Sequence, residues 1–393
     1  MATSVNCRGW IWLTVLAFLL ASVVFPSQSQ AQKFKVLHTF EDRPAAYPFS
    51  RLVADATGNL YGTTQEDNAN GGTVYELSPL SDGRWAYQVL HVFKTDGWDP
   101  FGRPVLDTAG NLYGTTNDQK VYELTPGSDG HWVAKTLYQL DGWSGEGLAI
   151  DAQGNLYGRT YSGYPVCGKL FELTPNSGGQ WTETVLHNFS DGECGLGTSL
   201  IFDATGDRLY GASDYLVFVL TRNSGGGWDY GIAHRFNQND GYASSGELIF
   251  DATGNLYGTN AAGGRRGGGT AYKLTPQSGG GWISTVLHSF SENSNDDGYG
   301  PFGGLTLDST GNLYGTTSQG GVYGDGVVFK LTPDANGQWV ERLLHSFSGG
   351  RDGAHPYADL IQDASGNLYG AAKWGGTGQS CQGGCGVVFK IAP

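Results

Sequence analysis

The chain has 393 residues, of which 37 are acidic and 23 are basic, and its formal net charge is −14. A protein this acidic repels phosphate backbones, so we expect no nucleic-acid partner. Acidity of this kind favours the solubility of an exported protein.

Residues 1–31 have the pattern of a secretory signal peptide. Arg8 precedes an apolar run that extends from Ile11 to Phe25, and Ser29-Gln30-Ala31 has the small-x-small form of a cleavage site. The run is too short to span a bilayer comfortably, and no second hydrophobic stretch follows it. We therefore expect a secreted protein, extracellular or periplasmic, with no membrane span after cleavage and one domain over residues 32–393.

A repeat dominates the rest of the chain. The string Gly-Asn-Leu-Tyr-Gly occurs six times, and an altered seventh copy spans residues 206–211. Its tyrosine recurs every 44 to 57 residues, at Tyr61, Tyr113, Tyr157, Tyr210, Tyr257, Tyr314 and Tyr369. A period of this length predicts an array of similar supersecondary units.

Each unit contains four strand-like runs, A to D. Run A is apolar and ends in Asp, as in residues 304–308, and a tight turn leads to run B, Leu-Tyr-Gly-Thr-Thr. A variable loop precedes run C, such as residues 327–333, and a turn ending in Trp leads to run D, such as residues 286–290. Short strands joined by turns that contain glycine predict an all-β protein without helices.

The number of runs predicts how the array closes. Runs A, B and C occur seven times, but run D follows run C only six times, and the missing copy lies at residues 36–40. Pairing residues 36–40 with residues 386–391 leaves neither segment as an unpaired edge. The prediction is a seven-bladed β-propeller of four-stranded antiparallel blades. Its B–C and D–A loops share one face, here called the variable face, where we expect function.

Four cysteines remain after signal cleavage, which is typical of two disulfides in an exported protein. Cys167 lies in the third B–C loop and Cys194 in the third D–A loop, whereas Cys381 and Cys385 share the seventh B–C loop. We predict the pairs Cys167–Cys194 and Cys381–Cys385.

The repeated Asn-Leu-Tyr-Gly-Thr-Thr core, with Gly-Gly turns and a Phe-x-Leu-Thr-Pro strand, resembles the Gloeobacter/Verrucomicrobia tandem repeat over residues 36–393. The resemblance implies an exported bacterial protein. The family has no assigned catalytic residues, so none is carried over to this chain.

Two groups of residues on the variable face are candidates for ligand binding. Aromatic rings there could stack on sugars, or alternatively fill gaps between blades; they are Trp98, Trp143, Tyr242, Tyr299 and Trp374. Three arginines that break the repeat, Arg159, Arg265 and Arg266, could bind an acidic polysaccharide, or could simply be solvated charges.

These patterns favour a non-catalytic binding or scaffold protein that recognises glycans or extracellular proteins. The alternative is a polysaccharide-active hydrolase or lyase with its site at the channel mouth. No catalytic residue is identified, and we expect no cofactor, no metal and a monomer. The histidines repeated in run D and the aspartates that end run A are interpreted as structural.

Overall fold

The computed structural model describes residues 33–41, 45–65, 71–144, 146–162, 167–190, 192–193, 195, 197–294 and 297–392. The predicted signal peptide lies outside these residues. Every regular element within them is a β-strand, and none is a helix that could cross a membrane. The strands form seven antiparallel sheets with four principal strands each, so the predicted seven-bladed β-propeller is confirmed.

The strands follow one another along the chain blade by blade. β1 (Lys33–Thr39) comes first and belongs to the last blade. Blades 1 to 3 contain β2 (Ala46–Pro48), β3 (Val53–Ala54), β4 (Leu60–Gln65), β5 (Thr73–Pro79) and β6 (Trp85–Val92); β7 (Val105–Leu106), β8 (Leu112–Thr115), β9 (Lys120–Pro126) and β10 (Trp132–Gln139); and β11 (Ala149–Ile150), β12 (Leu156–Arg159), β13 (Lys169–Pro175) and β14 (Trp181–Asn188).

Blades 4 and 5 contain β15 (Ile201–Phe202), β16 (Arg208–Ser213), β17 (Leu216–Arg222) and β18 (Trp228–Arg235), then β19 (Ile249–Phe250), β20 (Leu256–Asn260), β21 (Gly267–Pro276) and β22 (Trp282–Ser291). Blades 6 and 7 contain β23 (Gly298–Tyr299), β24 (Thr306–Leu307), β25 (Leu313–Thr317), β26 (Gln319–Gly320), β27 (Val327–Pro333) and β28 (Trp339–Ser346), then β29 (Ile361–Gln362), β30 (Leu368–Ala372) and β31 (Val387–Ala392). The pair β23–β26 forms a small separate sheet, and β2 extends the edge of β4 beside β3.

The ring closes as predicted, with β1 as the fourth strand of blade 7. β1 pairs antiparallel with β31 from Lys33 opposite Ala392 to Thr39 opposite Val387. The register skips Leu37, and the D strand of every other blade has a register shift at the same repeat position. β1 therefore has the pairing geometry of a D strand, although some 350 residues separate it from its partner.

The A–B turns explain why the Asp and Gly-Asn of the repeat recur. In blade 6, Asp308 Oδ1 accepts hydrogen bonds from the backbone N–H groups of Thr310 and Asn312, at 2.8 and 2.9 Å, and Tyr314 donates its hydroxyl to Oδ2 at 3.0 Å. Burial opposes ionisation of Asp308, but these donors outweigh it and hold the pKa of the carboxyl well below its ordinary value. The turn position of Gly311 has a φ of +87°, which glycine adopts without strain. The predicted turn role of these aspartates is confirmed.

Neighbouring blades interlock through the tryptophan that begins strand D. Its ring packs edge-on against the repeat tyrosine of the preceding blade, with centroids 5.8 to 6.1 Å apart, in the pairs Trp132–Tyr61, Trp228–Tyr157, Trp282–Tyr210 and Trp85–Tyr369. Trp85 is in blade 1 and Tyr369 in blade 7, so the same contact crosses the ring closure. These tryptophans have the packing role that their repeated position indicates.

The disulfide between Cys381 and Cys385 is present, as predicted. Cys167 is also disulfide-bonded. Its predicted partner Cys194 lies outside the described residues, so the pairing Cys167–Cys194 stays a prediction.

Phe40 tests whether β1 is an integral strand. Phe40 is 1% exposed and packs on Tyr75, with centroids 5.2 Å apart, whereas the equivalent Phe93 packs on Tyr122 at 5.0 Å. Phe40→Ala and the control Phe93→Ala should each lower the free energy of unfolding by about 3–5 kcal/mol in denaturant titrations, because each leaves a buried cavity. A large loss for Phe93→Ala with none for Phe40→Ala would contradict the closure.

Candidate functional site

The centre of the ring holds a cavity of about 310 Å³ that all seven blades line. The lining comes mainly from the D–A loops, from residues that immediately precede the A strands. The A strands are therefore innermost, and the cavity opens on the variable face. Because each blade contributes the same short segment, differences among the seven copies determine the chemistry of the cavity.

The more exposed level of the cavity is aromatic. Four rings occupy one repeat position, six residues before the Asp that ends run A; they are Phe49, Phe101, Phe302 and Tyr357. Phe49 lies between Phe101 and Tyr357, with centroid distances of 4.8 and 5.3 Å, and Phe302 contacts Tyr357 at 5.4 Å. Trp143 extends this wall from Phe101 at 5.5 Å. We call these five rings the aromatic rim.

The ammonium group of Lys373 lies against the aromatic rim. Lys373 Nζ is 5.1 Å from the centre of the Phe49 ring and 5.9 Å from that of Tyr357. It is also 5.6 Å from the ring of Trp374, whose centroid lies 6.5 Å from Tyr357. The ammonium group is attracted by the negative faces of these rings.

The deeper level of the cavity is ionic. It uses the position four residues before the turn Asp, where blades 1, 2, 5 and 7 carry Arg51, Arg103, Glu247 and Asp359. Glu247 reaches across the channel, forming an ion pair with Arg51 through Oε2 and with Arg103 through Oε1 at 2.6 Å. Arg51 also lies 3.7 Å from Asp359. The other three blades have Gly147, Ser199 and Gly304 there, which leave room for these long side chains.

The pKa values of the two acids of this network differ. Burial alone would raise the pKa of Glu247, but Arg103 and Arg51 outweigh it and hold the pKa at about 2. Burial raises the pKa of Asp359 to about 6, and the charge of Glu247 adds to the effect. Asp359 Oδ1 accepts the backbone N–H of Gly304 at 2.5 Å, while its buried Oδ2 accepts no hydrogen bond from the described residues. The pKa of Asp359 therefore lies well above that of Glu247.

A third carboxyl group lies in the wall of the cavity. Glu146 Oε1 accepts the backbone N–H of Gly197 at 3.0 Å, and its buried Oε2 is without a hydrogen-bond partner among the described residues. Burial raises the pKa of Glu146, and the nearby charge of Arg159 only partly opposes this. Two buried carboxyl oxygens in the wall of the cavity, Asp359 Oδ2 and Glu146 Oε2, thus accept no hydrogen bond from the described residues.

Of the aromatic residues predicted as ligand contacts, Trp143 lines the cavity and Trp374 lies beside it. The other three lie elsewhere on the variable face. Trp98 is 46% exposed, Tyr242 stacks on Tyr215 with centroids 6.2 Å apart, and Tyr299 pairs with Gln319 in the small sheet of blade 6. The five aromatic residues predicted to stack on sugars therefore do not form one continuous surface.

The three predicted arginines also lie apart from one another. Arg159 is 1% exposed and donates to the carbonyl groups of Ala212 and Gly195, at 3.0 and 2.8 Å, which favours a packing role over direct ligand contact. Arg265 lines a cleft between blades 4 and 5, and Arg266 lies 3.4 Å from Asp297 at the outer edge of the ring.

The sequence reasoning missed the ionic level and most of the aromatic rim. The available signal was the set of seven equivalent residues just before the A strands, of which four are charged and three are small. The turns and strands of the repeat are nearly identical from blade to blade and indicate the fold. This position differs among blades, and such a difference is what would have indicated a site.

The fold and the cavity define a seven-bladed β-propeller with a ligand-sized pocket at its channel mouth. The chain belongs to the Gloeobacter/Verrucomicrobia repeat family, which matches residues 21–217 and 213–393. This confirms the resemblance inferred from the repeat. Among curated protein sequences, none matches the chain.

The solved structures of three other proteins are similar to this one in fold. A candidate 6-phosphogluconolactonase from Bacteroides fragilis has a TM-score of 0.58 at 14% identity, covering 85% of this chain and 99% of its own. The periplasmic gluconolactonase of Pseudomonas aeruginosa has a TM-score of 0.55 at 17% identity, with coverages of 85% and 99%. A candidate 6-phosphogluconolactonase from Bacteroides uniformis has a TM-score of 0.55 at 13% identity, with coverages of 74% and 83%. At these identities the likeness concerns the fold alone.

Replacing Glu247 tests the ionic level. Glu247→Gln should lower the free energy of unfolding by about 3 kcal/mol at pH 7, because two largely buried guanidinium groups lose their counter-charge. The pKa of Glu247 is depressed from 4.5 to about 2, so its stabilisation is complete above pH 4.5 and is lost as the pH falls towards 2. The difference between wild type and variant should shrink over that interval in urea titrations. The exposed Glu292→Gln is the control, and a difference that is independent of pH would contradict the assignment.

Proposed function

We propose that the cavity at the channel mouth binds a small carbohydrate or a sugar-derived ligand. The observation that carries this proposal is the aromatic rim placed directly over buried carboxyl groups. Aromatic faces pack against the apolar face of a sugar ring, and carboxyl oxygens accept hydrogen bonds from its hydroxyl groups. Asp359 Oδ2 and Glu146 Oε2, which accept no hydrogen bond from the described residues, are suited to that role.

The size of the cavity limits the ligand. A volume of about 310 Å³ is at the lower end of the range of roughly 300–1,000 Å³ that is typical of small-molecule sites. A mono- or disaccharide, or the end of a longer glycan, suits this volume better than the interior of a polysaccharide chain. Lys373 at the rim favours ligands that carry a carboxylate or phosphate group.

Export is part of the same proposal. The signal-peptide pattern of residues 1–31 and the disulfide Cys381–Cys385 both favour an oxidising compartment outside the cytoplasm. A carbohydrate-binding propeller in that compartment would meet free sugars and cell-surface glycans.

A second candidate function, hydrolysis of the bound sugar derivative, is favoured by Asp359. A carboxyl group whose pKa is about 6 can act as a general acid or base near neutral pH. The gluconolactonases that share the fold act on sugar lactones, according to their names. Lactones and short glycosides are therefore the substrate classes to test first.

Substitutions in the aromatic rim test the binding proposal. Phe49→Ala and Trp143→Ala should each weaken binding of the best ligand from a glycan array by about tenfold in calorimetric titrations, because each removes a stacking surface. Trp98→Ala removes an exposed ring outside the cavity and should leave the affinity unchanged. Equal affinities for all four proteins would place the ligand elsewhere.

Asp359→Asn separates binding from hydrolysis. If Asp359 is the general base, the variant should lose at least 100-fold in kcat for lactone or glycoside hydrolysis while it retains ligand affinity, and wild-type kcat should rise as the pH passes about 6. Release of acid or reducing sugar measures the rate. Ligand binding without turnover by the wild type would leave binding as the function and reject hydrolysis.

A further inference from the structure

A cluster of three potential metal ligands lies at the outer edge of the ring between blades 5 and 6. His288 belongs to β22, Asp297 to the loop that follows, and Glu341 to β28 of the next blade. His288 Nε2 is 3.4 Å from Asp297 Oδ1 and 3.5 Å from Glu341 Oε2, and ligand atoms of all three lie within 4.8 Å of one another. The side chains of Asp297 and Glu341 are 4% and 11% exposed.

Part of this cluster recurs around the ring. Five D-strand histidines contact a carboxylate in the loop that follows them, over 2.7 to 3.5 Å; the pairs are His91–Asp96, His187–Glu193, His234–Asp240, His288–Asp297 and His345–Asp352. This confirms the structural interpretation for these five histidines. A D-strand residue of the next blade covers several of them, and it is an aromatic ring in the stacked pairs His187–Tyr230 and His345–Phe34.

We call the contact between two neighbouring blades a junction. In the described part of the chain, the D-strand residue that lies over the histidine position of the preceding blade is a carboxylate at only two junctions. One is the blade 5–6 junction with Glu341, and the other is the blade 2–3 junction with Glu183, the equivalent residue of β14. At the blade 2–3 junction, Lys169 Nζ lies between the two acids, 2.7 Å from Asp141 and 2.8 Å from Glu183. The chain itself therefore supplies a cation between this pair of carboxylates.

The blade 5–6 junction has the same pair of acids but not the lysine. Lys169 opposes Asn188 in blade 3, and the residue at the same register position in blade 6, opposite Ser346, is Val327. Val327 is fully buried and carries no charge. The carboxylate pair thus lacks the cation that its counterpart has, and the imidazole of His288 stands beside it instead.

Among the described residues, neighbouring groups do not occupy every oxygen of the two carboxylates. Arg266 approaches Asp297, but from Oδ2, at 3.4 Å, so Oδ1 remains directed at His288. Glu341 Oε1 is buried and accepts no hydrogen bond from the described residues.

We propose that His288, Asp297 and Glu341 bind a divalent transition-metal ion of the Zn²⁺ class that joins blade 5 to blade 6. One imidazole with two carboxylates is a donor set that suits Zn²⁺ better than Ca²⁺ or Mg²⁺, which prefer oxygen donors alone. Zn–N and Zn–O bonds of about 2.0–2.1 Å in a tetrahedron separate ligand atoms by roughly 3.3–3.4 Å, close to the 3.4 and 3.5 Å seen here. Arg266 then acts as an outer partner of the ligand Asp297.

The experiment measures Zn²⁺ binding to the folded protein after dialysis against a chelator. Calorimetry should show one equivalent of Zn²⁺, and the melting temperature should rise with Zn²⁺ concentration, since the ion binds the folded state. His288→Ala and Glu341→Gln should each weaken Zn²⁺ binding by at least tenfold and abolish the Zn²⁺-dependent rise in melting temperature.

Two further variants use the internal symmetry of the ring. Val327→Lys introduces the ammonium group that Lys169 supplies in blade 3, so it should eliminate Zn²⁺ binding while the variant stays folded without metal. Glu183→Gln alters the equivalent acid at the junction that already contains a lysine, and it should leave Zn²⁺ binding unchanged. Absence of stoichiometric binding to the wild type, or binding that persists in Glu341→Gln, would overturn the proposal.

Discussion

The pairing of β1 with β31 is the constraint on which the rest of the structure depends. Without it, blade 7 would have three strands, and both β1 and β31 would present unpaired backbone groups along an edge. With it, Trp85 and Tyr369 make the same contact across the closure that other blades make within the continuous chain. The central cavity requires this closure, since its lining comes from all seven blades.

Every blade repeats the same strands and turns, and only a few positions can carry different residues from blade to blade. The A–B turn uses the same Asp, Gly and Asn in almost every blade because hydrogen bonding and positive φ require them. The residues just before the A strands are under no such requirement, since they face the channel. A residue placed there by one blade can reach across the axis, as Glu247 does towards Arg51 and Arg103. Function in such a ring depends on the differences among equivalent positions.

The architecture was predictable because its determinants are local and repeated seven times. Turn residues, alternating apolar runs and the missing D strand indicated the number of blades and their closure, and the cysteine pair 381–385 followed from its place in one loop. The site was harder to predict because side chains as distant in the sequence as Arg51 and Asp359, which are 308 residues apart, meet only at the axis. Arg159 illustrates the difficulty: a charge that breaks the repeat looked like a surface residue, yet its guanidinium is buried against carbonyl groups. Trp98 and Trp143 were both predicted as ligand contacts on the variable face, but of the two Trp143 lines the cavity and Trp98 does not.

The position of β1 in the last blade also affects the order of events during synthesis. Among the described strands, β1, which completes the ring, is synthesised first and its partner β31 is synthesised last. Blades 1 to 6 hold all of their principal strands in sequence and can pair them as they emerge, but the first strand has to wait until nearly the whole chain is available. Throughout that interval the nascent chain carries a free strand at its leading end, which is open to incorrect pairing with other chains. Ring closure is thus a late, long-range step, and the time before it is when this protein is most exposed to aggregation.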